Sequence, residues 1–306
     1  MAQRRGVVAL DVGGTKIACG LLLPDGQILF QRTVPTCQES AEASIGQLQG
    51  LVEEAIESAP RDLVAAALGI VIPGWVNRGN RTVWAPNIAG WDHLPLEKIL
   101  GERLPVPIIL DSDRSGYVKG ESWMGVARGL SDVVFLAVGT GIGAGIMCSG
   151  RIIHGHDDLA GAVGWLALNP RFQQSYAQMG CFEAEASGNS VGRKGASVLG
   201  ATAESATASD VVAAAISGSE RAAAILDEVS VYLGMGVANL VSTLNPEMVV
   251  LGGGLFQSGS LLLEKVRREF ERWAQPFAAE RVRVELSSLG EHAALYGAAR
   301  LALDNV

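Results

Sequence analysis

The run Asp11-Val12-Gly13-Gly14-Thr15-Lys16 separates two apolar stretches, Gly6 to Leu10 and Ile17 to Leu22. A turn of this composition suits a phosphate, because glycines let backbone N–H groups face the anion while Thr15 and Lys16 add donors. Asp11 adds a carboxylate able to hold Mg2+ through water. Taken alone, such a hairpin is more often only a turn. Two further glycine runs end apolar stretches: Gly139-Thr140-Gly141-Ile142-Gly143-Ala144-Gly145 after Asp132 to Val138, and Gly252-Gly253-Gly254 after Met248 to Leu251. Asp113 follows the strand-like Ile108 to Leu110, a place from which a carboxylate could take a proton from an attacking hydroxyl. On position alone the plainer reading, a cap at a strand end, is preferred.

Rival chemistries fit less well. No Gly-Lys dipeptide occurs in the chain, so there is no P-loop. Gly139, Gly141 and Ala144 match a dinucleotide fingerprint, but a strand-like segment follows where that fingerprint needs a helix. His154-Gly155-His156-Asp157-Asp158 has the spacing of a dinuclear metal hydrolase, yet only His93 and His292 remain to complete such a site, and a polar loop is preferred. Gly188-Asn189-Ser190-Val191-Gly192 fits a nucleophile elbow, which needs a strand before it and a helix after it. Glu183 to Ser187 reads as helix and Gly192 to Gly195 does not, so Ser190 reads as a loop serine.

These residues need elements to hold them. Beyond the first turn, Pro24-Asp25-Gly26 leads into a third strand, Gln27 to Thr33, which gives a three-stranded antiparallel meander. Ile45, Leu48, Leu51, Val52, Ala55 and Ile56 follow helical spacing within Ala41 to Ser58, with Ser40 as N-cap. Val64 to Ile72 reads as a buried strand ended by Pro73-Gly74. The second half repeats this outline: a strand from Asp132 to Val138, a glycine turn from Gly139 to Gly145, and a strand from Ile146 onward. Thr207 to Leu244 reads as helical, Met248 to Leu251 as strand, and Glu291 to Leu303 as a small-residue helix.

The chain has 306 residues, enough for two domains of about 150 residues each. Acidic residues (32) exceed basic ones (24), a net charge of -8 that disfavours a nucleic-acid partner. Asp11 interrupts the apolar run after Arg4 and Arg5, which argues against a signal peptide. Uncharged stretches such as Met248 to Leu263 fall short of the ~18–20 apolar residues of a bilayer span. Cys19, Cys37, Cys148 and Cys181 lie far apart with no C-x-x-C pair, as expected for reduced thiols. The expectation is a cytoplasmic protein with no membrane partner.

Taken in order, Asp11-Val12-Gly13-Gly14-Thr15-Lys16, Ile72-Pro73-Gly74, Pro86-Asn87, Asp111-Ser112-Asp113, the glycine run from Gly139 to Gly145, and Asn245-Pro246-Glu247 before Gly252-Gly253-Gly254 resemble the ROK family of sugar kinases. The resemblance runs nearly end to end. It implies the two-domain, actin-like ATPase (ribonuclease H-like) α/β fold with nucleotide in an interdomain cleft. The implied domains are residues 1–114 with 293–306, and residues 115–292. ATP phosphates are implied at Asp11, Gly13, Gly14, Thr15, Lys16, Gly139, Thr140 and Gly141, with the adenosine side at Gly252, Gly253 and Gly254. The resemblance implies Mg2+ held through water at Asp11.

The same resemblance makes Asp113 the general base, through Ser112-Asp113-Arg114-Ser115 against the family's N-D-A-N. It assigns Asn87, Ser112 and Glu183 to the sugar, Glu183 through Gly180-Cys181-Phe182-Glu183. The implied reaction moves the γ-phosphate of ATP to a primary hydroxyl of a hexose, with a homodimer as in similar kinases. Domain closure on sugar binding is expected because transfer to a hydroxyl rather than to water requires solvent exclusion. The alternative is a sugar or nucleotide sensor that keeps the fold without turnover. Repressor members carry a DNA-binding domain before D-x-G-G-T, and ten residues precede Asp11 here, so the expectation sets that branch aside.

Two departures stand out. Where relatives carry A-G-E-x-G-H and C-x-C-G-x-x-G-C to hold structural zinc, this chain reads Ala160-Gly161-Ala162-Val163-Gly164-Trp165 and Gln174-Ser175-Tyr176-Ala177-Gln178-Met179-Gly180-Cys181. Only Cys181 survives, so zinc is expected to be absent, with packing around Trp165, Tyr176 and Met179 in its place. Ala162 and Trp165 also stand where relatives place a Glu and a His that contact sugar hydroxyls. The expected acceptor is therefore a substituted hexose, ketose or cyclitol that stacks on Trp165, rather than plain glucose held in the usual way. The alternative is that the loop moves and Trp165 fills the space left by the metal, with Glu183 and Asn87 still holding glucose.

Overall fold

The computed structural model describes residues 4–203, 205–257 and 260–306. Met1 to Gln3, which open the segment weighed above as a signal peptide, lie outside them. The chain forms two compact units: residues 1–129 with 154–159 and 291–306, and residues 130–153 with 160–290.

Unit 1 is built on β1 (Arg4–Val12), β2 (Lys16–Leu22), β3 (Ile28–Pro35), β4 (Leu63–Ile72) and β7 (Ile108–Ser112), in the order β3-β2-β1-β4-β7. β1, β2 and β3 pair antiparallel, while β4 and β7 add on parallel. Successive residues of a strand face opposite sides. Val8, Leu10 and Val12 therefore enter one core with α1 (Ala41–Glu57), and Val7 and Ala9 enter another under α11 (Ala293–Leu303). Both faces are covered, which is why β1 reads as a continuous apolar run. Ser40 caps α1 by accepting from Ala43 N. A two-stranded hairpin, β5 (Trp75–Asn77) with β6 (Thr82–Trp84), and α2 (Leu96–Gly101) precede β7.

α3 (Asp113–Met124) starts directly from β7, and α11 packs against it through small residues. A Cβ on Gly297 would sit 1.8 Å from Gly116 O, and one on Gly69 of β4 would sit 1.9 Å from Ala298 O. Glycine is required at both positions for this helix to lie so close.

Unit 2 repeats the arrangement with β8 (Val133–Val138), β9 (Ile142–Cys148), β10 (Arg151–Ile152), β11 (Met248–Gly252) and β12 (Arg283–Leu286), in the order β10-β9-β8-β11-β12. Again the first three strands are antiparallel and the last two parallel. The glycine turn is shorter than the sequence suggested: β9 already begins at Ile142, and Gly143 and Gly145 sit within the ladder opposite Ala137 and Phe135. Around the sheet lie α4 (Tyr176–Met179), α5 (Cys181–Ala186), α6 (Gly188–Leu199), α7 (Ala208–Ile216), α8 (Glu220–Leu244), α9 (Ser260–Trp273) and α10 (Pro276–Ala279). Ser217-Gly218-Ser219 splits the expected helix from Thr207 to Leu244 into α7 and α8, with Gly218 at φ 95°. α8 is long and apolar enough to cross a bilayer, but Leu226, Val229, Leu233, Val237 and Val241 bury it in the core of unit 2. Ser190 is also not a loop residue: it is buried in the first turn of α6, where its hydroxyl donates to Ala184 O. Because helix α5 precedes it, the strand a nucleophile elbow requires is missing.

Candidate active site

In unit 1, Asp11 pairs with Ala18 one step before the β1–β2 ladder ends at Val12 and Ile17, and Gly13 N donates to Lys16 O at 2.9 Å to close the turn. Thr36 Oγ1 donates to Gly13 O at 2.6 Å. Gln38 Nε2 donates to the carbonyls of Gly14 and Asn87, while Gln38 Oε1 accepts from Ala89 N. A Cβ on Gly14 would fall 2.9 Å from Asn87 Cβ. The first glycine turn and the exposed Asn87 are thus held in contact. Gln38, which does much of this, carries no motif that the sequence reading could have used. Thr15 and Lys16 are exposed, and Lys16 Nζ pairs with Glu291.

Asp113 opens α3, where Ser112 is the N-cap. Ser112 Oγ accepts from Ser115 N at 3.3 Å and meets Ser115 Oγ at 3.2 Å, so the expected sugar contact also shapes the helix start. Asp113 Oδ1 accepts from Arg114 N at 2.8 Å. Burial pushes the Asp113 carboxyl up to about 6, with Arg114 opposing and Asp111 adding to the rise. Burial pushes Asp11 further, to about 7, helped by repulsion from Asp113 and opposed by Lys16. Tyr117 is raised by burial and by the same two carboxylates. Two carboxylates that each resist ionisation fit a hard divalent cation, which favours oxygen ligands and stabilises the charged forms.

Asp111 behaves in the opposite way although it too is buried. Burial pulls it upward, but His154 and Arg78 more than offset this and hold it below the usual carboxylate range. Arg78 Nη2 lies 2.7 Å from Asp111 Oδ2, and Arg78 Nη1 lies 2.7 Å from Asp158 Oδ1. His154 Nε2 lies 3.0 Å from Asp111 Oδ2, and Trp75 Nε1 donates to Asp157 O at 2.8 Å. The loop from His154 to Leu159 is therefore part of unit 1, while His156 is almost wholly exposed. Among the described residues no three His, Cys, Asp or Glu side chains gather to hold a metal. The Arg78 network escaped the sequence because its members come from three distant segments and share no spacing.

In unit 2, parallel pairing of Gly252 with Ala137 puts two glycine turns at neighbouring strand ends. A Cβ on Gly139 would lie 3.9 Å from Gly254 N, one on Gly253 (φ 90°) would lie 2.5 Å from Val138 O, and one on Gly254 would meet nothing within 4 Å. Gly188 N, at the start of α6, donates to Gly139 O at 2.7 Å. This backbone-lined space, bordered by the exposed Thr140, suits the oxygens of a nucleotide. Glu183 sits against the same turn: its Oε2 accepts from Ile142 N at 2.8 Å, and a Cβ on Gly141 would be 2.5 Å from it. Burial raises the Glu183 carboxyl, and the Ile142 N–H opposes that rise.

Trp165 does not pack into the loop that follows it. It is 57% exposed, whereas Tyr176 is buried and Met179 packs against the core. Glycine at 164 and 180 crowds the backbone here, since a Cβ on Gly180 would lie 2.4 Å from Gly164 O. The close approach of residues 164 and 180 leaves the indole outside.

Two α/β units with the same strand order, each with a glycine hairpin between its first two strands, define the actin-like ATPase fold. The ROK family model matches residues 7–305, and the chain belongs to the ROK family. It is 30% identical over 310 residues to the glucokinase of Halalkalibacterium halodurans, covering 96% of this chain and 93% of that one. The ROK hexokinase of Thermus thermophilus superposes with a TM-score of 0.85 at 30% identity, covering 98% of each chain. The ROK family glucokinase of Streptomyces griseus, solved in complex with glucose and AMPPNP, superposes with a TM-score of 0.80 at 28% identity over 98% of this chain and 99% of that one.

Proposed function

We propose that this ATP-dependent sugar kinase transfers the γ-phosphate to a primary hydroxyl of a hexose or hexose-like acceptor, with Asp113 as general base. The observation that carries this is the pair Asp11 and Asp113 beside the first glycine turn, both raised by burial toward neutrality. A base with a pKa near the working pH is ionised often enough to act and basic enough to take the hydroxyl proton. When bound, Mg2+ would neutralise charge on the transferring phosphate, and Asp11 would hold it through water. Gly13, Gly14 and Thr15 would orient phosphate oxygens, joined by Lys16 once it leaves Glu291. The exposed Lys16–Glu291 pair is worth ~0–1 kcal/mol, so its opening costs little. In unit 2, Gly139, Thr140 and Gly141 would take phosphate, and Gly252, Gly253 and Gly254 the adenosine side.

Asn87, Ser112 and Glu183 would hold the acceptor. Ala162 supplies no charged acceptor of hydrogen bonds and Trp165 presents an exposed apolar face, which favours an acceptor with a substituent or apolar face over plain glucose. The reading includes a cytoplasmic, homodimeric enzyme without structural zinc and without nucleic-acid partners.

Mg-ATP turnover measured as ADP release across glucose, N-acetylated hexosamines, ketoses and cyclitols tests the reading. Acceptor-dependent release, with kcat/KM for the best acceptor at least tenfold above that for glucose, is expected. Binding without release would make the chain a sensor, and glucose as the best acceptor would remove the specificity argument.

A further inference from the structure

The segment from Leu166 to Gly180 is irregular except for the single turn of α4, yet it is fixed at one point. Tyr176 OH donates to Glu185 Oε1 on α5. Asn169 Nδ2 lies 3.0 Å from Tyr176 OH, 3.3 Å from Glu185 Oε1 and 3.3 Å from Tyr232 OH on α8. Gln173 Nε2 donates to Tyr176 OH at 2.9 Å. From α6, Lys194 Nζ reaches Glu185 Oε2 at 3.2 Å and its backbone carbonyl at 3.0 Å. Three loop residues are thereby tied to three helices through one buried carboxylate.

A buried carboxylate with four donors around it is costly to form in part and rigid when complete. Here every partner is present, and the loop is closed at both ends by backbone: Phe182 N donates to Leu166 O, next to Trp165 on one side and Glu183 on the other. Anchoring the loop therefore fixes both residues that flank it. Glu183 lies half a helical turn before Glu185 on the same short helix, so any rotation of α5 that breaks the Tyr176 bond also moves Glu183 away from Ile142 N.

We infer that Tyr176, Glu185, Asn169 and Lys194 form a metal-free clasp whose role is to position Glu183 and Trp165 for the acceptor. They are positioning residues, since none of them belongs to the assigned phosphate or acceptor contacts. The inference rests on the acceptor reading given above, and the test separates the two.

In Tyr176→Phe, the acceptor KM should rise about tenfold while kcat and the KM for Mg-ATP stay within twofold. Amide exchange should speed up across residues 167–179 and remain unchanged in the strands of unit 1. Glu185→Gln, which keeps an oxygen for the Tyr176 hydroxyl, should fall between wild type and Tyr176→Phe. Should Tyr176→Phe fail to fold, Asn169→Ala, which removes one bridging donor, should show the same split at about threefold. Glu183→Gln is the control. If it raises the acceptor KM and Tyr176→Phe does not, the clasp is overturned. If Tyr176→Phe raises KM and Glu183→Gln does not, the clasp stands through Trp165 and the Glu183 assignment falls. Unchanged exchange in Tyr176→Phe also overturns the clasp.

Discussion

The two glycine hairpins occupy the same place in the same strand order, yet their surroundings differ in charge. The unit 1 hairpin has Asp11 at its base, Lys16 at its exit and Asp113 close enough to raise Asp11 electrostatically. The hairpin of unit 2 is bordered by Thr140, by backbone of the Gly253-Gly254 turn and by the start of α6, with the Glu183 carboxylate adjoining it. A shared backbone thus serves two physical tasks. One hairpin concentrates ionisable groups, which suits proton transfer and cation binding; the other offers neutral N–H groups, which suit phosphate oxygens.

The sharpest break of this comparison is Asp113→Asn. An amide keeps the shape and loses the proton acceptor, so kcat should fall by about two to four orders of magnitude. AMPPNP affinity should stay within twofold by calorimetry, because the amide keeps the shape and Asp113 is not among the assigned phosphate contacts. Wild-type turnover in the variant would remove Asp113 as base.

Next in size is the response to pH. Asp11 and Asp113 interact, so they titrate as a pair between about 6 and about 7. The base works ionised, so kcat/KM should fall about tenfold per unit as pH drops below this window. Raising Mg2+ should shift the fall to lower pH, because the cation favours the charged carboxylates. The linked stability has the opposite sign. Both groups bind protons more tightly folded than unfolded, so their contribution is full below the ordinary carboxylate range and is lost as pH rises through about 6 to 7. Asp11→Asn should therefore melt a few degrees above wild type at pH ~8 and close to it at pH ~4.

The smallest effect sharpens the contrast on the neutral side. In Gly141→Ala the new methyl meets the end of a flexible side chain, the Glu183 carboxylate, at 2.5 Å. Glu183 can yield, so the melting temperature should change little while the acceptor KM rises about three- to tenfold, as expected for a weakened hydrogen bond of ~1 kcal/mol. In Gly13→Ala the clash at 2.9 Å is with the Lys16 carbonyl, which is backbone, so there the fold itself should lose stability.

Much of this was legible in the sequence because it depends on local period and turn chemistry. The meander, the Ser40-capped helix and the second strand-turn-strand unit follow from apolar runs broken by Gly, Asp and Pro. The parallel addition of the last two strands in each sheet was not legible, because it pairs segments far apart in the chain. Gly192 and Gly195 concealed helix α6, because glycine disfavours helix locally while packing requires it. Gly192 approaches Ala206 O, and Gly195 approaches Val211, too closely for a side chain. Likewise the Arg78–Asp111–His154–Asp158 network joins residues far apart in the chain, and the Tyr176 clasp joins nearer residues at no regular spacing, with burial rather than spacing as the cause of both. Packing of Trp165 in place of the lost metal ligands does not form: the glycines at 164 and 180 crowd the backbone and the indole stays exposed.

The placement of α11 also sets an order of events during synthesis. Ala294, Leu295, Ala298 and Ala299 pack, beside α3, on one face of the unit 1 sheet, yet they are made only after all of residues 130–290. The second unit can complete its core on the ribosome while the first waits with Val7 and Ala9 uncovered by α11. In the nascent chain, the earliest strands translated are among the last to be buried, and the unfinished sheet is the surface a chaperone would meet.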